Sequence, residues 1–379
     1  MPSSDATPGW RPSGFTGRGC VPGPTGFSRF RCGSSTAGFS GSGVTGTGGL
    51  GWCWRRHSPG KRSSSFGSWG NLGEVELSVV VVSYNSRAYL PACLGSLLPQ
   101  VRALRGEVIV VDNASTDGSP EVVRQFSGVR LVESAVNVGF VRAVNQALKL
   151  AQGRFILILN PDTEVRPGAV GTLVRFMAEH PRVGLAGPKL LYPDGTVQPS
   201  RRRFPGLAVL LTEGTFIQWH FPGLGIFRRF YCQDLPADIP QPVDWVTGAC
   251  MLVRREAVEQ VGPMDERFFM YSEELDWCRR LWSAGWQVYY VPGAEVVHQE
   301  AASSRQDPVR QRVNFYASRW KYAAKYYGPV VGVLLRGFLL FGLGVELLEE
   351  AIKLALGHKP QLRRGRIRVL AGVIRSGLR

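Results

Sequence analysis

The sequence predicts an α/β fold: a mostly parallel sheet with helices on both faces, followed by an apolar and then basic helical segment at the C-terminus. Three observations carry this reading. Residues 77–82 form a near-continuous, β-branched apolar run, as expected of a strand buried on both faces. Strand-like and helix-like segments then alternate at the lengths of βα units. Polar clusters rich in Asn, Asp, Ser, Thr and Gly follow those strands, at the carboxyl ends where open α/β sheets bind their ligands.

In chain order, the helical period covers 88–98, 120–126, 141–151 and 169–180, and strand patterns cover 108–111, 129–132, 155–159 and 183–186. Residues 199–242 are irregular and rich in Pro, Gly and aromatic residues, which marks a long insertion. Regular patterning resumes at 243–253, with a helix at 272–284 and a strand at 287–291.

The flanks differ in texture. Residues 1–70 are dominated by Gly, Ser, Pro and Thr and carry no sustained period or apolar signal core. They are expected to be a disordered basic tail, or the product of a start codon placed too far upstream, and to contribute nothing to the fold. The folded domain is expected over 77–328. From 329 to 348 the chain is apolar, interrupted by Arg336 and Glu346. After Glu350 no acid follows, while Lys353, Lys359, Arg363, Arg364, Arg366, Arg368, Arg375 and Arg379 do. Such a tail, 329–379, suits the headgroup region of an anionic membrane, whether it spans or lies flat. The formal net charge of +16 favours anionic partners generally. Seven cysteines occur without a C-x-x-C pair, which argues against zinc and for reduced thiols in a cytoplasmic protein.

The chemistry-bearing clusters are five. Ser83-Tyr84-Asn85 follows the first strand, and Asp112-Asn113-Ala114-Ser115-Thr116-Asp117-Gly118-Ser119 follows the second. A strand-end carboxylate can accept a pyrimidine N3–H, and small residues let a helix N-terminus approach a diphosphate. Taken singly, such a segment is equally a turn rich in helix caps. Asn137-Val138-Gly139-Phe140 leads into a helix carrying Asn145. Asn160-Pro161-Asp162-Thr163 ends a buried strand, where a carboxylate can hold Mg²⁺ or Mn²⁺ against a diphosphate. Phe268 to Asp276 runs FFMYSEELD: Ser272 is placed to cap a helix, and Glu273 or Glu274 to take a proton from an attacking hydroxyl. Asp276 there fits a purely structural role. Arg279 and Arg280 follow one turn later, where they can hold carboxylate or phosphate oxygens. His298 closes a strand-like VVH, and Trp245, Trp277 and Trp286 are read as core packing before sugar stacking.

In these residues the chain resembles the GT-A-fold family 2 glycosyltransferases, closest to their bacterial rhamnosyltransferase-like branch. The matching motifs are VVVSYN, VDNASTDGS, NVGF, LNPDT, VTGACMLVRREA, DERFFMYSEELDWCRRLWSAGW and VVHQE, in order over residues 77–328. The resemblance implies a Rossmann-like GT-A sheet and inverting transfer of one sugar, rhamnose by analogy, from a nucleotide-diphosphate sugar. The acceptor would be lipid-linked or a polysaccharide, at the cytoplasmic face of the cell membrane, with 199–242 on the acceptor side. It implies nucleotide-sugar contacts from Tyr84, Asn85, Asp112, Asn113, Asp117, Gly139, Asn145 and Asn160, a Mg²⁺ or Mn²⁺ site at Asp162 and His298, and a base at Glu274, with Glu273 second. Two departures stand out. Asn160 occupies the first position of a metal motif that is Asp-x-Asp in many relatives, and Glu273-Glu274 stands where many have Glu-Asp.

Two rivals are weaker. A processive polysaccharide synthase would carry several spanning helices and a Q-x-x-R-W motif, whereas Arg319-Trp320 here follows Tyr316. A non-enzymatic nucleic-acid-binding protein would explain the charge. It would not explain acidic clusters that repel a phosphodiester backbone, so no nucleic acid is expected.

Overall fold

The computed structural model describes residues 75–299 and 307–379; the expected disordered segment 1–70 lies outside the described residues. Strand β1 (Leu77–Ser83) is buried at every position. It leads through α1 (Leu90–Ala103), β2 (Glu107–Asp112), α2 (Ser119–Arg124), β3 (Val129–Glu133) and α3 (Phe140–Leu148) to β4 (Phe155–Leu159). A short β5 (Thr163–Val165), α4 (Ala169–Glu179) and a long β6 (Val183–Leu191) follow. β7 (Val197–Gln198) precedes the irregular stretch, which holds β8 (Arg201–Arg202), α5 (Leu207–Thr212), α6 (Phe216–His220), α7 (Gly225–Phe230) and β9 (Gln241–Pro242). The chain then forms β10 (Trp245–Val246), β11 (Cys250–Arg254), α8 (Arg255–Val261), α9 (Glu273–Ser283) and β12 (Gln287–His298). Three helices end it: α10 (Pro308–Tyr327), α11 (Pro329–Ala355) and α12 (Pro360–Ser376).

The main sheet runs β3-β2-β1-β4-β11-β6-β12-β5. Its first four strands are parallel, with Val80 registered on Ile109 on one side and Ile158 on the other. The sheet as a whole is more mixed than the sequence predicts. β11 enters antiparallel between β4 and β6, and β5 pairs antiparallel with the end of β12. The reason is local. The chain arrives at β11 from the carboxyl end of β4, where Asn160 N–H donates to Ala249 O at 2.9 Å, so it can only run back along β4.

Strand alternation splits the core into two layers. Val80, Val82, Ile109, Val111, Ile156 and Ile158 face α3 and α9. Val79, Val81, Val108, Val110, Leu157 and Leu159 face α1 and α4. Both layers hold the strand ends rigidly in line. Cys93, Cys232, Cys250 and Cys278 are free, buried thiols, and burial pushes Cys93 up to about 12, consistent with inert core packing.

Candidate active site

The loops after β1, β2 and β3 are laced together at one end of the sheet. Asn85 has φ 48°, a conformation Asn tolerates better than most residues. Its N–H donates to Ser115 Oγ at 2.9 Å, and its Oδ1 accepts the Thr116 N–H at 2.8 Å. Tyr84, half-buried, precedes it. Asp112 is buried and accepts the Ser115 hydroxyl at 2.6 Å and the Ser115 N–H at 2.9 Å. Asn113 donates to Asn137 Oδ1 at 3.1 Å and accepts the Val138 N–H at 2.9 Å, which ties the β2 loop to the β3 loop. Asp117 caps the Ser119 N–H at 3.0 Å and takes the Arg87 N–H at 2.9 Å. Partial burial would raise its carboxyl, yet hydrogen bonds from Ser119 and the Arg87 backbone hold it below the usual range. Gly139 has φ +91°, and a Cβ there would fall 2.7 Å from the Phe269 ring, so only glycine fits.

Asn145, expected with this group, is placed otherwise. Its amide donates to Met264 O at 2.9 Å and to Glu266 at 3.3 Å, and accepts the Met264 N–H at 3.0 Å. A buried amide with both its N–H groups engaged ties α3 to the loop after α8 and has no donor left for a nucleotide.

Asp162 and His298 meet at the other side of β4. The pairing of β12 with β5 sets His298 opposite Thr163, which brings its Nε2 to 3.5 Å from Asp162 Oδ1. Both side chains are buried. His298 Nδ1 lies 2.9 Å from Gln198 Oε1, an acceptor, so Nδ1 carries the proton and Nε2 presents a lone pair. That Nε2 has no hydrogen-bond partner in the protein. Two acceptors facing each other this closely fit a cation between them: neighbouring ligands about 2.1 Å from Mg²⁺ or Mn²⁺ stand roughly 3 Å apart. Among the described residues no three His, Cys, Asp or Glu side chains converge as a metal cage. A divalent ion here would complete its shell with diphosphate and water oxygens. Asn160 lies at the same turn, with its carbonyl accepting the Thr163 hydroxyl at 2.7 Å.

Glu273 and Glu274 open α9. Tyr271 (φ 70°) and Ser272 (φ 63°) are both left-handed, a strained pair costing about 1–3 kcal/mol each. This strain is held by its surroundings. Phe140 N–H donates to Phe269 O at 3.1 Å, Ser318 Oγ donates to Met270 O at 2.8 Å, and Tyr271 packs edge-on to Phe315. Ser272 occupies the N-cap position, but its side chain caps nothing, because the left-handed backbone replaces the extended geometry a side-chain cap uses. Both glutamates have a buried Oε2 without a hydrogen-bond partner. Burial, then the neighbouring Glu274, pushes Glu273 well above the usual carboxylate range. Burial also raises Glu274, opposed by backbone N–H groups, including that of Gly248, and by the charge of Arg202.

The rest of that helix is structural. Asp276 is fully buried and accepts from Lys325 at 2.5 Å, Tyr326 at 2.7 Å and Arg280 at 3.0 Å, which binds α9 to α10. Arg280 also donates to Val261 O and Pro263 O, and Arg279 donates to the Tyr322 hydroxyl and stacks on Tyr326. Neither is directed to a phosphate. Trp277 Nε1 donates to Gly262 O, Trp245 Nε1 to Arg203 O and Trp286 Nε1 to Gln260 Oε1. Removing one partner of a buried ion cluster costs about 3–5 kcal/mol. Asp276→Ala is therefore expected to lower denaturant stability by that amount while leaving donor affinity unchanged in the folded fraction. A neutral effect on unfolding would show the cluster to be idle.

Two contributors carry no sequence signal, and the role of a third, Gly248, is not legible from the VTGACMLVRREA motif that holds it. Gln198, which orients His298, ends β7 just before the irregular segment. Gly248 packs with its Cα face against Glu274, where a Cβ would lie 3.7 Å from that side chain. Arg202 stacks on Tyr231 with its guanidinium 4.5 Å from the ring centre. Only the juxtaposition of β8, β10 and α9 reveals them.

The profile of the family described as Glycosyl transferase family 2 matches residues 78–262. The N-acetylglucosaminyl-diphospho-decaprenol L-rhamnosyltransferase of Mycobacterium tuberculosis is 35% identical over 262 residues, 65% of this chain and 84% of the relative. Rhamnosyltransferase WbbL of Escherichia coli is 26% identical over 58% of this chain and 82% of its own length. A mannosyltransferase from Pyrobaculum calidifontis, solved with GDP-mannose and Mn²⁺, aligns over 80% of this chain and 86% of its own, at 18% identity and a TM-score of 0.47. The family match from β1 through α8, and 35% identity across 84% of the mycobacterial enzyme, show that the chain belongs to the family 2 glycosyltransferases.

Proposed function

We propose that this glycosyltransferase moves one rhamnose, with inversion, from a nucleotide-diphosphate sugar to a lipid-linked or polysaccharide acceptor, working peripherally at the cytoplasmic face of the cell membrane. One observation carries the mechanism. Gly248, whose N–H steadies Glu274, is followed by Ala249, whose carbonyl accepts the Asn160 N–H at the head of the Asp162 turn. Two residues thus link the base to the diphosphate end of the site.

The roles follow from environment. Tyr84, Asn85, Asp112, Asn113, Asp117 and Gly139 frame the nucleotide, and Asn160 sets the turn. Asp162 and His298 would hold Mg²⁺ or Mn²⁺, which neutralises the departing diphosphate when bound. Glu273, raised furthest by burial and by its neighbour and without a counter-charge, is the carboxyl that more strongly favours its neutral form. Glu274, steadied by Arg202 and the Gly248 N–H, is the one that ionises more readily, and is the base. As the acceptor oxygen bonds to the anomeric carbon, the bond to the diphosphate oxygen breaks and the hydroxyl proton passes to Glu274. Attack opposite the leaving group inverts the centre. The rhamnose and lipid-diphosphate readings draw on the names of the relatives above.

A thermal-shift series of nucleotide sugars with and without Mg²⁺ or Mn²⁺ tests this. dTDP-rhamnose is expected to raise the midpoint most, and only with the cation; binding at a hundredfold excess over Kd stabilises by about 2.7 kcal/mol. No response to any nucleotide sugar overturns the reading, and multi-sugar products from one acceptor would favour processive synthesis.

A further inference from the structure

We propose that α11 lies flat in the surface of an anionic phospholipid leaflet, with the α6–α7 turn entering the same surface beside it. Among the described residues, α11 is the one helix long and apolar enough to cross a bilayer. Its polar side chains say otherwise. Arg336 Nε donates to Gly377 O at 2.7 Å, Glu346 pairs with Arg312 at 3.1 Å, and Glu350 is buried between Arg363 at 2.8 Å and Arg366 at 3.2 Å. Leu335, Leu339 and Leu343 are buried, and Gly332 is pressed so closely on Ala324 that a Cβ would fall 2.5 Å away. One face of α11 is therefore committed to α10 and α12. A crossing helix would have to abandon those partners inside hydrocarbon, where unpaired charges are most costly.

The opposite face has no partner among the described residues. Val330 is 70% exposed, Val333 and Leu334 67%, Phe341 66%, Leu348 62% and Leu356 78%. Steps of three, four, seven and eight keep them on one stripe. A second exposed patch follows the short helix that touches α11. Phe216 of α6 lies against Gly342 of α11, and beyond α6 the turn exposes Phe221, Leu224 and Ile226, followed by exposed Arg228 and Arg229. Exposed apolar patches rimmed by polar residues mark docking faces. Charge identifies the occupant. The chain carries +16, no acid follows Glu350, and Lys359, Arg364, Arg368, Arg375 and Arg379 are exposed. Apolar insertion ringed by cations suits an anionic bilayer rather than a neutral one. Because β8 in the same insertion brings Arg202 to Glu274, docking would set the base near the bilayer surface; that consequence, unlike the docking itself, rests on the transfer reading.

The experiment uses the full chain and vesicles of phosphatidylcholine with or without phosphatidylglycerol, read by flotation. Expected are binding to the anionic vesicles only, loss of binding at high salt, and release by alkaline carbonate. The triple variant Leu334→Ser, Phe341→Ser, Leu348→Ser should bind at least tenfold more weakly, and Phe221→Ser with Leu224→Ser should also weaken binding. All five positions are solvent-facing, so thermal unfolding and nucleotide-sugar binding should match the wild type and serve as the folding control. Absence of vesicle binding, or binding untouched by the triple variant, overturns the proposal. So does carbonate-resistant insertion, which means a spanning helix, or a dimer that the same serines dissolve, which makes a second copy the occupant. Vesicle binding with no transfer of any sugar refutes the transfer reading and leaves the docking intact.

Discussion

Glu274→Gln is expected to lower kcat by about a hundred- to ten-thousand-fold, the usual contribution of a general base, with donor affinity near wild type. Glutamine keeps the size and the contact with Gly248 but cannot take a proton. Glu273→Gln is the companion: the carboxyl pushed up further gives up its proton less readily and is the weaker candidate base, so its replacement should change kcat far less. The pH profile separates the pair further. Burial raises both carboxyls, so kcat should climb with pH through an apparent pKa above the ordinary carboxylate range. Stability should move the other way. A carboxyl raised by folding favours the folded state most below its unfolded pKa, and that advantage is lost as pH rises through the folded pKa. Activity and stability crossing in one window would be the signature of this pair. If Glu273→Gln is the more damaging, the roles are exchanged; if both retain normal kcat, no carboxylate base operates here. Loss of donor affinity alone would move the segment to diphosphate binding.

Asp162→Asn should abolish cation-dependent donor binding while leaving unfolding nearly unchanged. The amide retains the shape but offers one neutral oxygen in place of a charged ligand. His298→Ala should weaken the same binding, and Gln198→Leu should do so more mildly, since outer partners of a metal ligand typically contribute ten- to a hundredfold. Calorimetry of Mn²⁺ and donor binding reads all three. Wild-type cation dependence in Asp162→Asn would remove the metal role from this turn.

Much of this architecture is written locally. β1, β2 and β4 are near-continuous apolar runs flanked by turn residues, β3 is a shorter alternating one, and the site clusters fall directly after them, so their position needs no knowledge of the fold. What escaped depends on distant pairing. Regular patterning resumes at 243–253, but it does not show the break at 247–249 between β10 and β11, where the backbone must serve Glu274 and Asn160 together. The strand expected at 287–291 runs on to His298, because Pro292-Gly293 is absorbed in a register shift between Val291 and Glu295 instead of ending it. α1 likewise continues past Pro99 to Ala103. The apolar stretch read as 329–348 extends to Ala355, because the acids that seem to close it find Arg312, Arg363 and Arg366 on neighbouring helices. Asn145 misled for the same reason: its partners are more than a hundred positions away.

The reversed strand β11 also bears on how the chain is made. During synthesis β4 and β6 emerge first, yet the strand that joins them is completed only about sixty residues after β6 ends. At roughly 5–20 residues per second, their facing edges stand open for about 3–12 seconds. Open, apolar edges recruit other strands. Until β11 arrives the sheet cannot close between β4 and β6, and that closing strand is the one entered through Gly248 and Ala249. The strand that seals the sheet is thus also the one whose entry links Glu274 to the Asp162 turn.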